Sequence, residues 1–438
     1  MPPASGGGNK TSTTYSPRHR LIDRMKEKKI KHSLLQSGVI LSVASFLTGL
    51  GNFAFQAIIG HQLKTSGEFG LANTTLGYIG LLSLPLTIAT TAITHHIARY
   101  DFHGDDARLQ GLLAGCRKFL LHLTVAGSLA AVLLANPLSA FLHFRAGLTF
   151  AALACVLAGL WGGFATALCQ GLSWFKRLAL IGLLGVGIRL AFGGMVVAKF
   201  PVAEWAVVAT AVATLSNLIL LFWKKDLTRP AEALSPWDQD FVQFLIVSAA
   251  VVGGGYCFTQ GDLLVAQRFF SKPELDAYCG AGVFARALPM TVAPLLTVLF
   301  THRSTAHTGD ALREQLKLIG LYAAGLACGL IGLLVLKTYC LKMIGRNTPE
   351  TVAMVGQLAA TMVFVGLIQA LAMWALASRW VKIALLYGGL GLAYWLTLFW
   401  LGKTPADLLQ TMPVAAGTAF IALLVVWLTA MRSGKADV

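Results

Sequence analysis

The chain has 438 residues, 56% hydrophobic and only 12% charged, with a mean hydropathy of +0.68. Soluble globular domains carry about 25% charged residues, so this composition excludes a water-soluble enzyme or binding module and assigns the chain to a membrane. The formal charge of +16 raises nucleic acid as a partner, but the basic residues divide by membrane side, and no nucleic-acid partner is expected.

Residues 1–32 are polar, MPPASGGGNKTSTTYSP followed by the basic run RHRLIDRMKEKKIKH. They read as a disordered cytosolic tail whose basic part lies near anionic headgroups. The first apolar run is too long for a signal peptide and lacks a small-residue cleavage site, so no cleaved leader is expected. Twelve apolar spans follow, at about 36–60, 73–97, 114–135, 148–170, 178–199, 203–223, 241–268, 277–300, 315–338, 350–375, 380–401 and 408–431. Each is near or above the ~20 residues that cross a bilayer as a helix. Connections are short, and the longest is the stretch 224–240. The expected fold is therefore an all-α integral membrane protein: a six-helix lobe over 33–223, a cytosolic linker over 224–240, a second six-helix lobe over 241–432, and a cytosolic tail over 433–438.

With the N-terminus inside, cytosolic segments hold 24 Lys and Arg and outer segments 9. That asymmetry places both termini in the cytosol and the protein in the cytoplasmic membrane. The remaining two, Arg189 and Arg286, fall within spans. A weak internal repeat relates the second span, LSLPLTIATTAITHHIA, to the eighth, LPMTVAPLLTVLFTHRSTA. Pro85 and Pro294 are 209 residues apart, and His95 and His302 are 207 apart. Two six-span halves, each with a proline-bent second span, form the layout of a two-lobed transporter around a central cavity.

The seventh and eighth spans carry the most unusual residues. Asp262 and Arg286 lie inside apolar runs, with Gly253-Gly254-Gly255, Pro289 and Pro294 nearby. A charge at mid-helix costs roughly 2.5–3.5 kcal/mol on insertion scales, so it faces a partner or a wet cavity. Glycine and proline loosen a helix lining such a cavity, and Pro85, Pro289, Pro294 and Gly254 are candidate hinges. The seven cysteines are scattered singly, without a CxxC or a His/Cys cluster, so neither a disulfide framework nor a metal site is indicated. No GxSxG, P-loop, HExxH or nucleotide fingerprint occurs. The chain reads as a non-enzyme without a cofactor.

Two stretches resemble the polysaccharide-transport branch of the MATE-like superfamily of multidrug, oligosaccharidyl-lipid and polysaccharide exporters. After the first span, GHQLKTSGEFGLANTTLGYIGLLSLPLTIATTAITHHIARY is similar to the branch's LG-x-x-x-(Y/F)-G turn, helix and basic exit, with Gly67-Glu68-Phe69-Gly70 at the turn and Arg99 at the exit. In the second half, GDLLVAQRFFSKPELDAYCGAGVFARAL resembles a seventh helix bearing Asp262, an acidic turn with Glu274, and an eighth helix led by Tyr278. The resemblance implies two lobes in a V around a central cavity, and the flipping of polyprenyl-pyrophosphate-linked oligosaccharides to the outer leaflet for surface glycan (O-antigen-type) synthesis. Lipid II flippases of the superfamily carry two further helices, so twelve spans argue against a peptidoglycan precursor.

Within that reading, Arg286 and Arg189 are the candidate pyrophosphate ligands, because a guanidinium presents a rigid fork to phosphate oxygens. The alternative is an internal ion pair. Asp262 is either the site of a coupling H+ or Na+, or a permanent partner of Arg286 or Arg268. Gln56 and Gln260 are placed to hydrogen-bond sugar hydroxyls or neighbouring helices, and Tyr256 and Phe258 to stack on sugar faces. Glu204 reads as interfacial, and His95, His96 and His302 as solvated helix ends or an inner gate. Trp174, Trp205, Trp223, Trp374, Trp380 and Trp400 read as an interfacial belt. Expected partners are the lipid-linked oligosaccharide, membrane lipids and glycan polymerase machinery. The rivals are an ion-coupled multidrug exporter of the same fold, which would need acidic cavities, and a glycan ligase or polymerase, which would need a large outer loop.

Overall fold

The protein, in a computed structural model, is described at residues 40, 43–142, 144–219, 239–305, 310–377 and 380–432. The tails 1–32 and 433–438, nearly all of the linker 224–240, and the last four residues of the sixth span lie outside the described residues. Hydrocarbon offers no partner to a free N–H or C=O, so a spanning chain closes its hydrogen bonds within helices. Among the described residues every regular element is helical and no strand occurs.

In the first half, α1 is Val43–Gln62, α2 Glu68–Leu82, α3 Leu84–His103, α4 Asp106–Leu142, α5 Ala146–Gly171, α6 Phe175–Lys199 and α7 Ala203–Leu215, continued by a 3-10 turn at Ser216–Leu218. The second half holds α8 Gln239–Phe269, α9 Lys272–Thr305, α10 Asp310–Met343, α11 Pro349–Ala377, α12 Val381–Leu401 and α13 Pro405–Arg432. Among the described residues nine helices are individually long and apolar enough to cross a membrane, and α2 with α3, bent at 49°, passes the same test as a pair. Each predicted span contains or overlaps one helix, except the second, which takes two. On α4 the large residues Leu121, Val125, Leu129 and Val132 are all more than half exposed. They recur at helical spacing, the pattern of a face turned to lipid.

One continuous apolar core joins the halves, running from Phe55, Phe69 and Val207 through Phe258 and Tyr278 to Trp374 and Met412. The seam between them is built by α2 and α3 against α8 and α9. Within the second half, Gly254 of α8 meets α12 at backbone distance: a Cβ there would lie 2.9 Å from Gly388 Cα, and one on Gly391 would lie 2.7 Å from Gly254 Cα. Small residues permit this approach of two membrane helices. The helix runs unbroken through the triple glycine.

A helix break at the repeated proline is present in the first half. Pro85, expected at mid-helix, is the second residue of α3, and the span bends by 49° where α2 ends. Proline at a helix start forfeits no intrahelical hydrogen bond. By contrast α9 continues as one helix through Pro289 and Pro294. The tryptophan belt also needs correcting. Trp400 is 71% exposed, but Trp374 and Trp380 are buried and pack edge-to-face with each other, 4.7 Å apart. Trp427 joins them, its ring 5.0 Å from that of Trp374.

Candidate functional site

The hairpin of α8 and α9 brings Asp262 and Arg286 together. Asp262 is fully buried, and its Oδ2 accepts from the Arg286 guanidinium and from the Tyr278 hydroxyl, the latter at 2.5 Å. Arg286 Nε donates to Thr259 O at 3.3 Å. Tyr278 also lies 3.3 Å from Met412 Sδ on α13. Asp262 Oδ1 has no hydrogen-bond partner among the described residues. Of the pairings open to Asp262 in the sequence, Arg286 is the one formed. A buried ion pair of this kind leaves little net charge for a ligand to sense.

Arg189 sits apart, on α6 in the first half. Its Nη1 donates to Asn52 Oδ1 of α1 at 2.8 Å, and its Cζ stands 4.3 Å above the Phe55 ring centroid. Nε is enclosed and has no partner, and no carboxylate reaches the guanidinium among the described residues. An amide dipole and a ring quadrupole stabilise a cation without cancelling it. A full positive charge therefore remains between α1 and α6. The buried carboxylates among the described residues are each answered by an arginine: Glu68 by Arg145, Asp262 by Arg286 and Asp276 by Arg346.

The remaining candidates lie along the seam or in its neighbourhood. The Tyr256 hydroxyl donates to Gly77 O on α2, and its ring packs where a Cβ on Gly80 would come within 2.9 Å. Gln260 Oε1 faces Gly77, 3.7 Å from where a Cβ would stand. Gln56 Oε1 is buried without a partner among the described residues. Phe258 stacks obliquely on Tyr394 and Tyr387 instead of facing open space. His95 stacks on Phe244 of α8, 4.6 Å away and nearly parallel, so this histidine belongs to the seam. The side chain of His302 lies outside the described residues. Glu204 pairs with Arg145 at 2.9 Å, and Glu274 caps its own helix through Ser271.

A cavity of about 970 Å³ opens beside the seam, lined by Tyr78, Pro85, Phe119, Leu157 and Ile246 among others. Its walls are almost wholly apolar, and of the candidate residues only Pro85 reaches it. Sequence reasoning missed Asn52 as the partner of Arg189. It also missed Asp276 and Arg346, which join the halves. Asn52 carried a faint signal, being a polar residue in the middle of an apolar run.

No family model and no curated protein matches the chain. Its fold is nevertheless shared with solved structures. An inward-facing multidrug resistance MATE family transporter of the MOP superfamily superposes with a TM-score of 0.68 at 10% identity, over 91% of this chain and 99% of that one. The lipid II flippase MurJ in an inward closed conformation gives 0.69 at 11% identity, over 89% and 87%. A MOP superfamily transporter from Pyrococcus furiosus, described as having a binding pocket of reverse polarity that suggests a different function, gives 0.60 at 12%, over 90% and 96%. The chain is thus a multi-pass membrane protein with the all-helical fold of MATE-type MOP superfamily transporters and MurJ.

Proposed function

We propose that the protein is a flippase that carries a polyprenyl-pyrophosphate-linked oligosaccharide from the cytosolic to the outer leaflet by alternating access, for surface polysaccharide synthesis. The observation that carries this reading is the guanidinium of Arg189 in a membrane-spanning helix, which no carboxylate compensates among the described residues, while the buried acids among them are all paired. A site with net positive charge attracts an anionic head group and repels a cationic drug. Arg189 receives the pyrophosphate. Arg286 becomes a second ligand when a coupling H+ or Na+ takes its place on Asp262. Gln56, Gln260 and Tyr256 serve the sugars, and Pro85, Pro289, Pro294 and Gly254 absorb the rocking of the lobes. The fold is shared with a lipid II flippase and with multidrug transporters alike, so it supports a transporter of this class, and the choice of an anionic lipid rests on Arg189.

Binding of a short-chain polyprenyl pyrophosphate to detergent-solubilised protein, followed by thermophoresis, tests the assignment. Arg189→Gln is expected to weaken binding at least tenfold, about 1.4 kcal/mol, with the elution profile unchanged. Equal affinity in variant and wild type would remove Arg189 from the site. Tight binding of an organic cation in place of the lipid would favour the multidrug exporter.

A further inference from the structure

At the end of the molecule that the Lys and Arg count assigns to the outside, the two halves meet through groups with no part in the site above. Asp276, the fifth residue of α9 and only 8% exposed, reaches into the other half. Its Oδ2 accepts from Gly67 N at 2.8 Å and its Oδ1 from Gly70 N at 2.6 Å. These N–H groups open α2, which has no side-chain cap of its own. Gly67 holds φ at +89°, a conformation that favours glycine, and it faces Lys272 so closely that a Cβ would clash. A carboxylate more than 200 residues away in sequence thus caps this helix from the opposite half.

Arg346, between α10 and α11, completes the arrangement. Its Nη1 lies 3.4 Å from Asp276 Oδ2, its Nη2 donates to Leu63 O at the end of α1, and its Cζ stands 4.6 Å above the Phe69 ring. The second half therefore sets a cation on the carbonyl end of α1 and an anion on the N–H end of α2, each matched to the helix dipole. Burial draws the Arg346 guanidinium below its ordinary pKa, with Asp276 opposing that shift. Two further contacts close the same seam: His61 Nε2 lies 3.1 Å from Met343 O, and a Cβ on Gly60 would meet Ile344 O.

We propose that Asp276 and Arg346 form an interlobe latch that holds this end shut and must release before the molecule opens outward. Its place in a transport cycle rests on the flippase reading; its existence does not. Closure is what a cap supplied across a seam achieves: while the carboxylate is engaged, α2 cannot swing from α9 without exposing two N–H groups. Cys279, one turn further along α9, reports on this directly. It is 1% exposed, with its Sγ 3.8 Å from Gly70 O, so separation at the latch uncovers the thiol.

The test is maleimide labelling of the protein in nanodiscs, with the label located by peptide mass mapping. In the wild type Cys279 is expected to stay protected. Asp276→Asn and Arg346→Gln should each speed its modification at least tenfold, while Cys169, fully buried in the other half, stays protected. Unchanged Cys279 labelling in both variants would overturn the latch. Labelling of Cys169 together with Cys279 would overturn it too, because these residues would then hold the whole fold instead of one seam. No substrate enters the measurement, so it reads the same way whether or not the protein flips a lipid.

Discussion

At the residue scale, two arginines that look alike in the sequence prove opposite in character. Arg286 is neutralised by Asp262, whereas Arg189 has, among the described residues, only an amide and an aromatic face. Removing one member of a buried pair strands the other charge, at a cost of about 3–5 kcal/mol. Asp262→Ala should therefore lower unfolding stability in detergent by that amount, and Asp262→Leu with Arg286→Met should recover most of it. Equal stability of the single variant and wild type would mean that water reaches the pair. The sequence made both charges visible, because each interrupts an apolar run. It left open which arginine is free, since that depends on helix rotation and side-chain direction. Helical side chains lean toward the N-terminus of their helix. On α9 that carries Arg286 back toward the hairpin turn, to the level where Tyr278 already meets Asp262.

At the element scale, hydropathy located the spans, because a membrane helix declares itself by length and apolarity. Helix breaks and contacts were less legible. Pro85 was visible as a bending residue, but only the structure places it at the start of α3, after a 49° bend. Pro289 and Pro294 sit in a helix that does not break. The triple glycine shows why local sequence is ambiguous here: its members share a composition and differ in their neighbours. A Cβ on Gly253 meets nothing within 4 Å, while one on Gly254 meets the backbone of α12. Gly253→Ala should accordingly leave stability unchanged or raise it by about 0.5–1 kcal/mol. Gly254→Ala should lower it by about 1–3 kcal/mol, the usual range for overpacking. Thermal unfolding of the two variants side by side checks this, and equal shifts would refute the close approach of α8 and α12.

At the scale of the whole molecule, the first half keeps a buried positive charge, the second half keeps a neutralised pair, and the seam between them is held by backbone and ionic contacts. Such a division suits a carrier whose substrate charge is held by one lobe while the other exchanges an ion. Contacts between distant segments, such as Asp276 with Gly67 and Gly70, carry no local sequence pattern, and only the assembled fold discloses them. The most direct measurement is transbilayer movement of a fluorescent polyprenyl-pyrophosphate oligosaccharide in proteoliposomes, with wild type beside Arg189→Gln. The wild type is predicted to accelerate flipping and the variant to lose at least nine-tenths of that rate while remaining folded. A wild type that leaves this lipid where it is, yet moves an organic cation down a proton or sodium gradient, would contradict the flippase and identify a drug exporter.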